Sequence, residues 1–406
     1  MSDASSLVRG LRGTCLAGFV TLLATSCTGA FPAIVSYSER MDRVTSESGM
    51  GHFSLRWSRR LGEDLGLNEL MSGVTVPTER AVPALDSLHD RLFVGSSTGQ
   101  LWCFTSSGTR LWMYQAGGGI GSQPSLSIDR TMLYVGSDDG FLHALDATTG
   151  RLLWRGEMLG SLGKPPIVTE DAVYIVTDND VVGAYDRASG EALWRFERQA
   201  PEGFYVTDHA GIVLADRRLI TGFTDGAVVA LDPSDGRVLW VRDTTTEIET
   251  RTGELRFTDV DTTPVILDET IYVASFAGGL FALEAASGSV RWVRPEWTGV
   301  VALADAGGGR IVLASGDFGI QSVRADNGDR VWTTPVRRGA PTSISVFGHS
   351  IVYGETTGGL VTLTGRGREI SRYEDGHGFA APIAIEAGLA AVVSNAGTLL
   401  VFAVQR

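Results

Sequence analysis

The chain has 406 residues, a net charge of −13, 43% hydrophobic and 20% charged residues, and 51 glycines against 13 prolines, a composition that is turn-rich rather than disordered. No Gly-X-Y period and no heptad run occurs, which excludes collagen and coiled coil, and no basic patch or stripe is present to meet nucleic acid. Three cysteines are too few for a disulfide scaffold.

In chain order, Arg9 and Arg12 precede an almost wholly apolar run from Cys15 to Ala24 (CLAGFVTLLA). That run is too short to cross a bilayer as a helix and suits the core of a signal peptide, predicted over residues 1–26. No later stretch reaches the roughly 18 apolar residues that a membrane-crossing helix needs. The run ends at Leu23-Ala24-Thr25-Ser26-Cys27, which resembles a bacterial lipobox, with the large aliphatic residue one place early. Cys27 is therefore the expected lipid attachment site, with plain secretion by cleavage after Ser26 as the alternative. Thr28, rather than Asp, after the cysteine fits outer-membrane sorting. Residues 27–52 are mostly small and polar and read as a tether to the body.

The body, residues 53–406, repeats. The clearest copies are LDATTGRLLW at 145–154, YDRASGEALW at 185–194, LDPSDGRVLW at 231–240 and LEAASGSVRW at 283–292. Weaker copies end at Trp112, Trp332 and Tyr373, and Trp57 has the aromatic ending without the turn before it. Upstream of each ending is an apolar run that closes on a turn, as in LFVGSSTG to Gly99 and LYVGSDDG to Gly140; YIVTDND at 174–180 is the degenerate copy. Prolines such as Pro83, Pro124, Pro166 and Pro264 open most units.

β-branched and aromatic runs separated by Asp-Gly and Gly-Gly predict four short strands per unit. A period of about 43 residues is that of a propeller blade. The expected fold is all-β: an eight-bladed β-propeller of four-stranded antiparallel blades. The last unit lacks a fourth strand and residues 53–57 lack a blade, so pairing them would close the ring and remove both sheet edges. Cys103, Ala144, Ala184, Ala230, Ala282, Ser322, Thr362 and Val401 form a column of small residues, expected where neighbouring sheets press together.

Nothing in the sequence rises above this repeat as chemistry. The six histidines show no metal-binding spacing, and there is no nucleophile elbow and no P-loop. Gly117 to Gly121 has the wrong spacing for a dinucleotide fingerprint, and Asp178-Asn179-Asp180 falls on a hairpin turn. No catalytic residue, metal or cofactor is expected, and the protein reads as a non-enzyme.

The D-x-x-[ST]-G-x-x-x-W repeat resembles the tryptophan-docking unit of quinoprotein-type propellers, which include PQQ-dependent alcohol dehydrogenases and the BamB lipoproteins of the outer-membrane β-barrel assembly machinery. Blade size, the absence of an adjacent cysteine pair and one local segment favour BamB. Glu247-Ile248, then Arg256-Phe257-Thr258-Asp259-Val260-Asp261-Thr262-Thr263-Pro264, is similar to the E-I…R-L-S-D-V-D-T-T-P segment of that family. The resemblance implies that Asp259 and Asp261, with Arg256, bind BamA, the barrel subunit, through its periplasmic POTRA domains. It places an adjoining apolar pair on Phe204 and Val206. The family's arginine falls on Thr207, a departure. The implied location is the periplasmic face of the outer membrane. A PQQ-dependent periplasmic oxidoreductase, or an exported propeller for an unrelated protein, are the alternatives. The spacing of the repeats points to the same place. The two connections between Trp194 and Gly211 and between Trp240 and Pro264 are long, adjacent and on one face, as binding insertions often are.

Overall fold

Alternating apolar residues and turn glycines form strands as expected. A computed structural model describes residues 53–61, 79–198, 209–245, 259–275 and 278–405. The signal segment, the tether, Cys27, Phe204, Val206, Thr207 and Arg256 lie outside these residues. Among them are 32 strands in eight four-stranded antiparallel sheets. Blades 1 to 7 run over 84–115, 125–157, 167–197, 213–243, 265–294, 300–334 and 341–373. Blade 8 takes three strands from 384–404 and its outermost from β1 (Phe53–Arg60).

The closure has the form the sequence predicts. β1 pairs antiparallel with β32 (Thr398–Val404), from Phe53 opposite Val404 to Arg60 opposite Thr398. Eight apolar clusters fill the structure, one between each pair of neighbouring blades. The core is thus a ring of seams rather than one centre, and each blade depends on both neighbours.

Seven of the eight seams are clamped from outside by the repeat. Asp146 shows how the turn is built: its carboxylate accepts the backbone N–H groups of Thr148 (3.0 Å) and Thr149 (2.8 Å) and the Thr149 hydroxyl (2.9 Å). Those bonds, the Thr149 N–H foremost, hold its carboxyl below the usual carboxylate range. The turn ends on Gly150 at φ 72°, where an added Cβ would lie 2.6 Å from the Trp112 ring of the preceding blade. The glycine therefore serves twice, as a left-handed residue and as the floor for an indole. The same indole donates its N–H to the Ala147 carbonyl at 3.2 Å. Trp57, Trp154, Trp194, Trp240, Trp292 and Trp332 make the equivalent bond to the turn of the following blade, at 2.8 to 3.2 Å.

The small-residue column is explained by this clamp. Cys103, Ala144, Ala184, Ala230, Ala282 and Ser322 stand directly opposite Trp112, Trp154, Trp194, Trp240, Trp292 and Trp332, and Val401 opposite Trp57. Cys103 is fully buried, and burial pushes its thiol up to about 12, so it is a packing residue rather than a nucleophile.

One repeat ending is displaced. Thr362 stands opposite Ser371, so Ser371 occupies the tryptophan position of blade 7 and Tyr373 lies two residues further on, opposite Leu360. The reason is the closure. Blade 8 receives its outer strand from the other end of the chain and has no turn for an indole to dock on. Tyr373 instead meets Phe402 edge-on at 5.3 Å between ring centres.

The inner ends of blades 8, 1 and 2 share a buried charge network. Asp86, fully buried, accepts from Arg91 at 2.6 Å and from Arg130 at 2.7 Å, and Arg130 reaches Glu386 at 3.5 Å. Burial alone would raise the Asp86 carboxyl; the hydrogen bonds and charge of the two arginines outweigh it, and the net shift is downward.

Two outcomes follow for stability. Trp154→Ala removes a half-buried indole and its bond to the Arg187 carbonyl, and chemical denaturation should show a loss of about 3 kcal/mol; an unchanged midpoint would remove the clamp from the account. Asp86 is lowered on folding, so its contribution is present above the unfolded carboxylate range, near pH 4, and is lost as pH falls through the lower folded value. Melting temperature followed downward from about pH 5 should therefore fall more steeply in the parent than in Asp86→Asn, which starts lower at neutral pH.

Candidate functional site

In a four-stranded antiparallel blade, the turn between the second and third strands lies on the same face as the connection to the next blade. The turns between the first and second strands, and between the third and fourth, lie on the opposite face. The two long connections, which leave blades 3 and 4, are thus on the first face and flank blade 4.

Asp180 anchors the first of them. It stands in the degenerate hairpin, at the place where most blades have glycine, and adopts φ 58°. Its carbonyl accepts the N–H of Arg198, the last described residue before the connection, at 3.1 Å. Its buried carboxylate accepts from the N–H of Thr224 at 3.3 Å and from the Thr224 hydroxyl, and lies 3.6 Å from Nδ1 of His209, the first described residue after the connection. Burial dominates and raises the Asp180 carboxyl. Arg198 pairs with Asp225 at 2.5 Å, so both ends of the connection are tied to the turns of blades 3 and 4. From the sequence alone Asp180 is a turn aspartate. The only signal of more was that its hairpin departs from the glycine pattern.

The second connection returns through Asp259-Val260-Asp261-Thr262-Thr263-Pro264. Val260 is buried and lies so close to Gly222 that no Cβ fits there; its N–H bonds to the Phe223 carbonyl at 3.2 Å. The Thr262 hydroxyl accepts the Ala274 N–H at 2.9 Å and donates to its carbonyl at 3.2 Å. Thr263 accepts the Gly211 N–H at 2.9 Å, which bonds the two long connections to each other. The structure therefore joins the described ends of the two connections; of the predicted site it describes Asp259 and Asp261, while Phe204, Val206 and Arg256 lie outside the described residues. The two aspartates are not alike: Asp259 is 4% exposed, whereas Asp261 is half-buried.

Other polar groups gather without forming an accessible site. His143 lies between the Tyr114 hydroxyl (3.0 Å) and Ser137 Oγ (2.9 Å), with Ser137 also donating to Asp139. Both His143 and Ser137 are buried, and burial pushes the imidazole below its ordinary value. This is a seam between blades 1 and 2 held by a neutral ring, closed to substrate. Among the described residues, no group of three or more His, Cys, Asp or Glu is placed to hold a metal.

Fold and repeat define the class: an eight-bladed propeller of PQQ-like repeats clamped blade to blade by tryptophan. The family described as outer membrane protein assembly factor BamB matches residues 106–334 and 280–376, and the chain belongs to that family. A Salmonella typhimurium relative of that name is 30% identical over 280 residues, 68% of this chain and 69% of its own. One from Yersinia pestis is 26% identical over 274 residues, 66% and 68%. The solved structure of BamB from Moraxella catarrhalis has a TM-score of 0.68 at 23% identity, covering 86% of this chain and 99% of that one. Yeast Sqt1 reaches 0.69 at 12% identity, covering 81% and 97%. Structural likeness thus gives the propeller alone, and sequence gives the family.

Proposed function

We propose that the protein is a non-enzymatic outer-membrane scaffold that docks on a BamA-like barrel subunit through that subunit's POTRA domains and assists the folding and insertion of outer-membrane β-barrels. Its relatives are named outer membrane protein assembly factors. The observation that carries the reading is the bond between the two long connections at Gly211 and Thr263, on the face where the D-V-D-T-T-P segment lies. A lipid on Cys27 would hold the protein at the periplasmic face of the membrane.

In this reading Asp261 presents its carboxylate to a basic rim on the partner, with Phe204 and Val206 as the apolar centre and Arg256 beside it. Asp259, buried behind, positions the segment. The two carboxylates therefore predict different phenotypes. Asp261→Ala should weaken binding to a POTRA-containing fragment by about 2 kcal/mol, with a smaller fall in melting temperature than Asp259→Ala causes. Asp259→Ala should lower the melting temperature first. Thr207→Arg, which restores the family residue, should tighten binding. Calorimetric titration with the fragment measures all three, and parental affinity in Asp261→Ala would move the docking surface elsewhere.

A further inference from the structure

The opposite face, where the first-to-second and third-to-fourth strand turns lie, carries a cleft of about 770 Å³ between blades 6 and 7. It is lined by Arg310, Arg366, Arg368, His349 and Ile370, among others, and no lining residue is acidic. In a chain of net charge −13 this is a local reversal of sign.

The propeller supplies its own control. Arg310 opens β23 (Arg310–Ser315) in blade 6, as Arg91 opens β3 (Arg91–Val94) in blade 1. Both reach the third-to-fourth strand turn of the next blade: Arg91 donates to Thr148 Oγ1 at 3.3 Å, and Arg310 to the Gly365 carbonyl at 2.9 Å. Arg91 is neutralised by buried Asp86 at 2.6 Å. Arg310 has no carboxylate within 4.0 Å among the described residues, and neither do the exposed Arg366 and Arg368. The fold thus has a way to neutralise an arginine at this position and does not use it here. Three arginines without a carboxylate partner among the described residues line one cleft, and their like charges repel one another unless an anion joins them.

We propose that this cleft binds a phosphate-bearing ligand. A single carboxylate cannot balance three guanidiniums, whereas a phosphate carries more charge, and its oxygens suit the arginine fork. The volume exceeds that of the bare ion and leaves room for an organic group against Ile370, which is 38% exposed. The phosphate is a monoester, which carries the second charge, and it belongs either to a soluble ester or to a lipid headgroup that ends in such a group.

The test uses the full chain and its Arg366→Ala/Arg368→Ala variant, with Arg195→Ala, an arginine paired with Glu197 on blade 3, as the control. Both cleft arginines are exposed, so the variant should keep the parental melting temperature, which is measured alongside. Titration with glycerol phosphate at low salt should be saturable, weaken with added salt, and weaken about ten-fold or more in the double variant but not in the control. Succinate should bind more weakly than glycerol phosphate. Co-sedimentation with phosphatidic acid against phosphatidylcholine vesicles identifies the source: retention lost in the double variant assigns the headgroup, and retention that is equal in the two chains, with glycerol phosphate still bound through the arginines, assigns a soluble ester. Binding of both probes that is absent or indifferent to the two arginines overturns the proposal, as does succinate bound as tightly as glycerol phosphate.

Discussion

The indole that crosses from one blade to the turn of the next is the interaction on which the rest of the structure depends. A single four-stranded blade is apolar on both faces and cannot stand alone in water. The tryptophan covers the outer end of seven of the eight seams, all but that between blades 7 and 8, and its N–H fixes the position of the neighbouring turn. The constraint reaches down to individual residues: glycine where the ring lies, a small residue opposite most of the rings, and in blades 2, 3 and 4 an aspartate to build the turn that receives it. It also gives the N-terminal strand two roles. β1 completes the ladder of blade 8, and its Trp57 donates to the Ser106 carbonyl of blade 1 at 2.8 Å. One segment thus removes the open edge and closes the last clamp.

A ring held in this way leaves the connections free to vary in length, because they do not carry the clamp. The two long ones flank blade 4, and their described ends are tied down by polar contacts. Asp180 is the main such tie, since it touches the residue before one connection, the residue after it, and the adjoining blade. A buried aspartate at a left-handed position in place of glycine is a local cost. Here it is offset by the bonds that fix where the connection leaves and returns.

The parts of this design that were legible in the sequence are those that repeat. Blade number, strand order, closure and the packing role of Trp154 all follow from a fixed spacing of glycine and tryptophan. Tyr373 shows the limit of that reasoning. It ends a similar phrase, yet the aromatic match hid a displacement of two residues that only strand register reveals. Asp86 and Asp180 were not legible because their partners, Arg130 and Thr224, are each 44 residues away. The unequal burial of Asp259 and Asp261 was not legible either, because alternation along a strand does not describe a connection that packs Val260 under its neighbour. Family likeness located the segment, and packing separated its two carboxylates.

We propose that the face bearing the two long connections, and not the opposite one, meets the barrel-assembly partner. A photo-crosslinking side chain placed at Asp261 tests it directly, with a second at Leu88, which is 74% exposed on a turn of the opposite face, as the comparison. An adduct with the barrel subunit is expected from Asp261 and none from Leu88 in intact outer membranes. Adducts from Leu88 alone would contradict it.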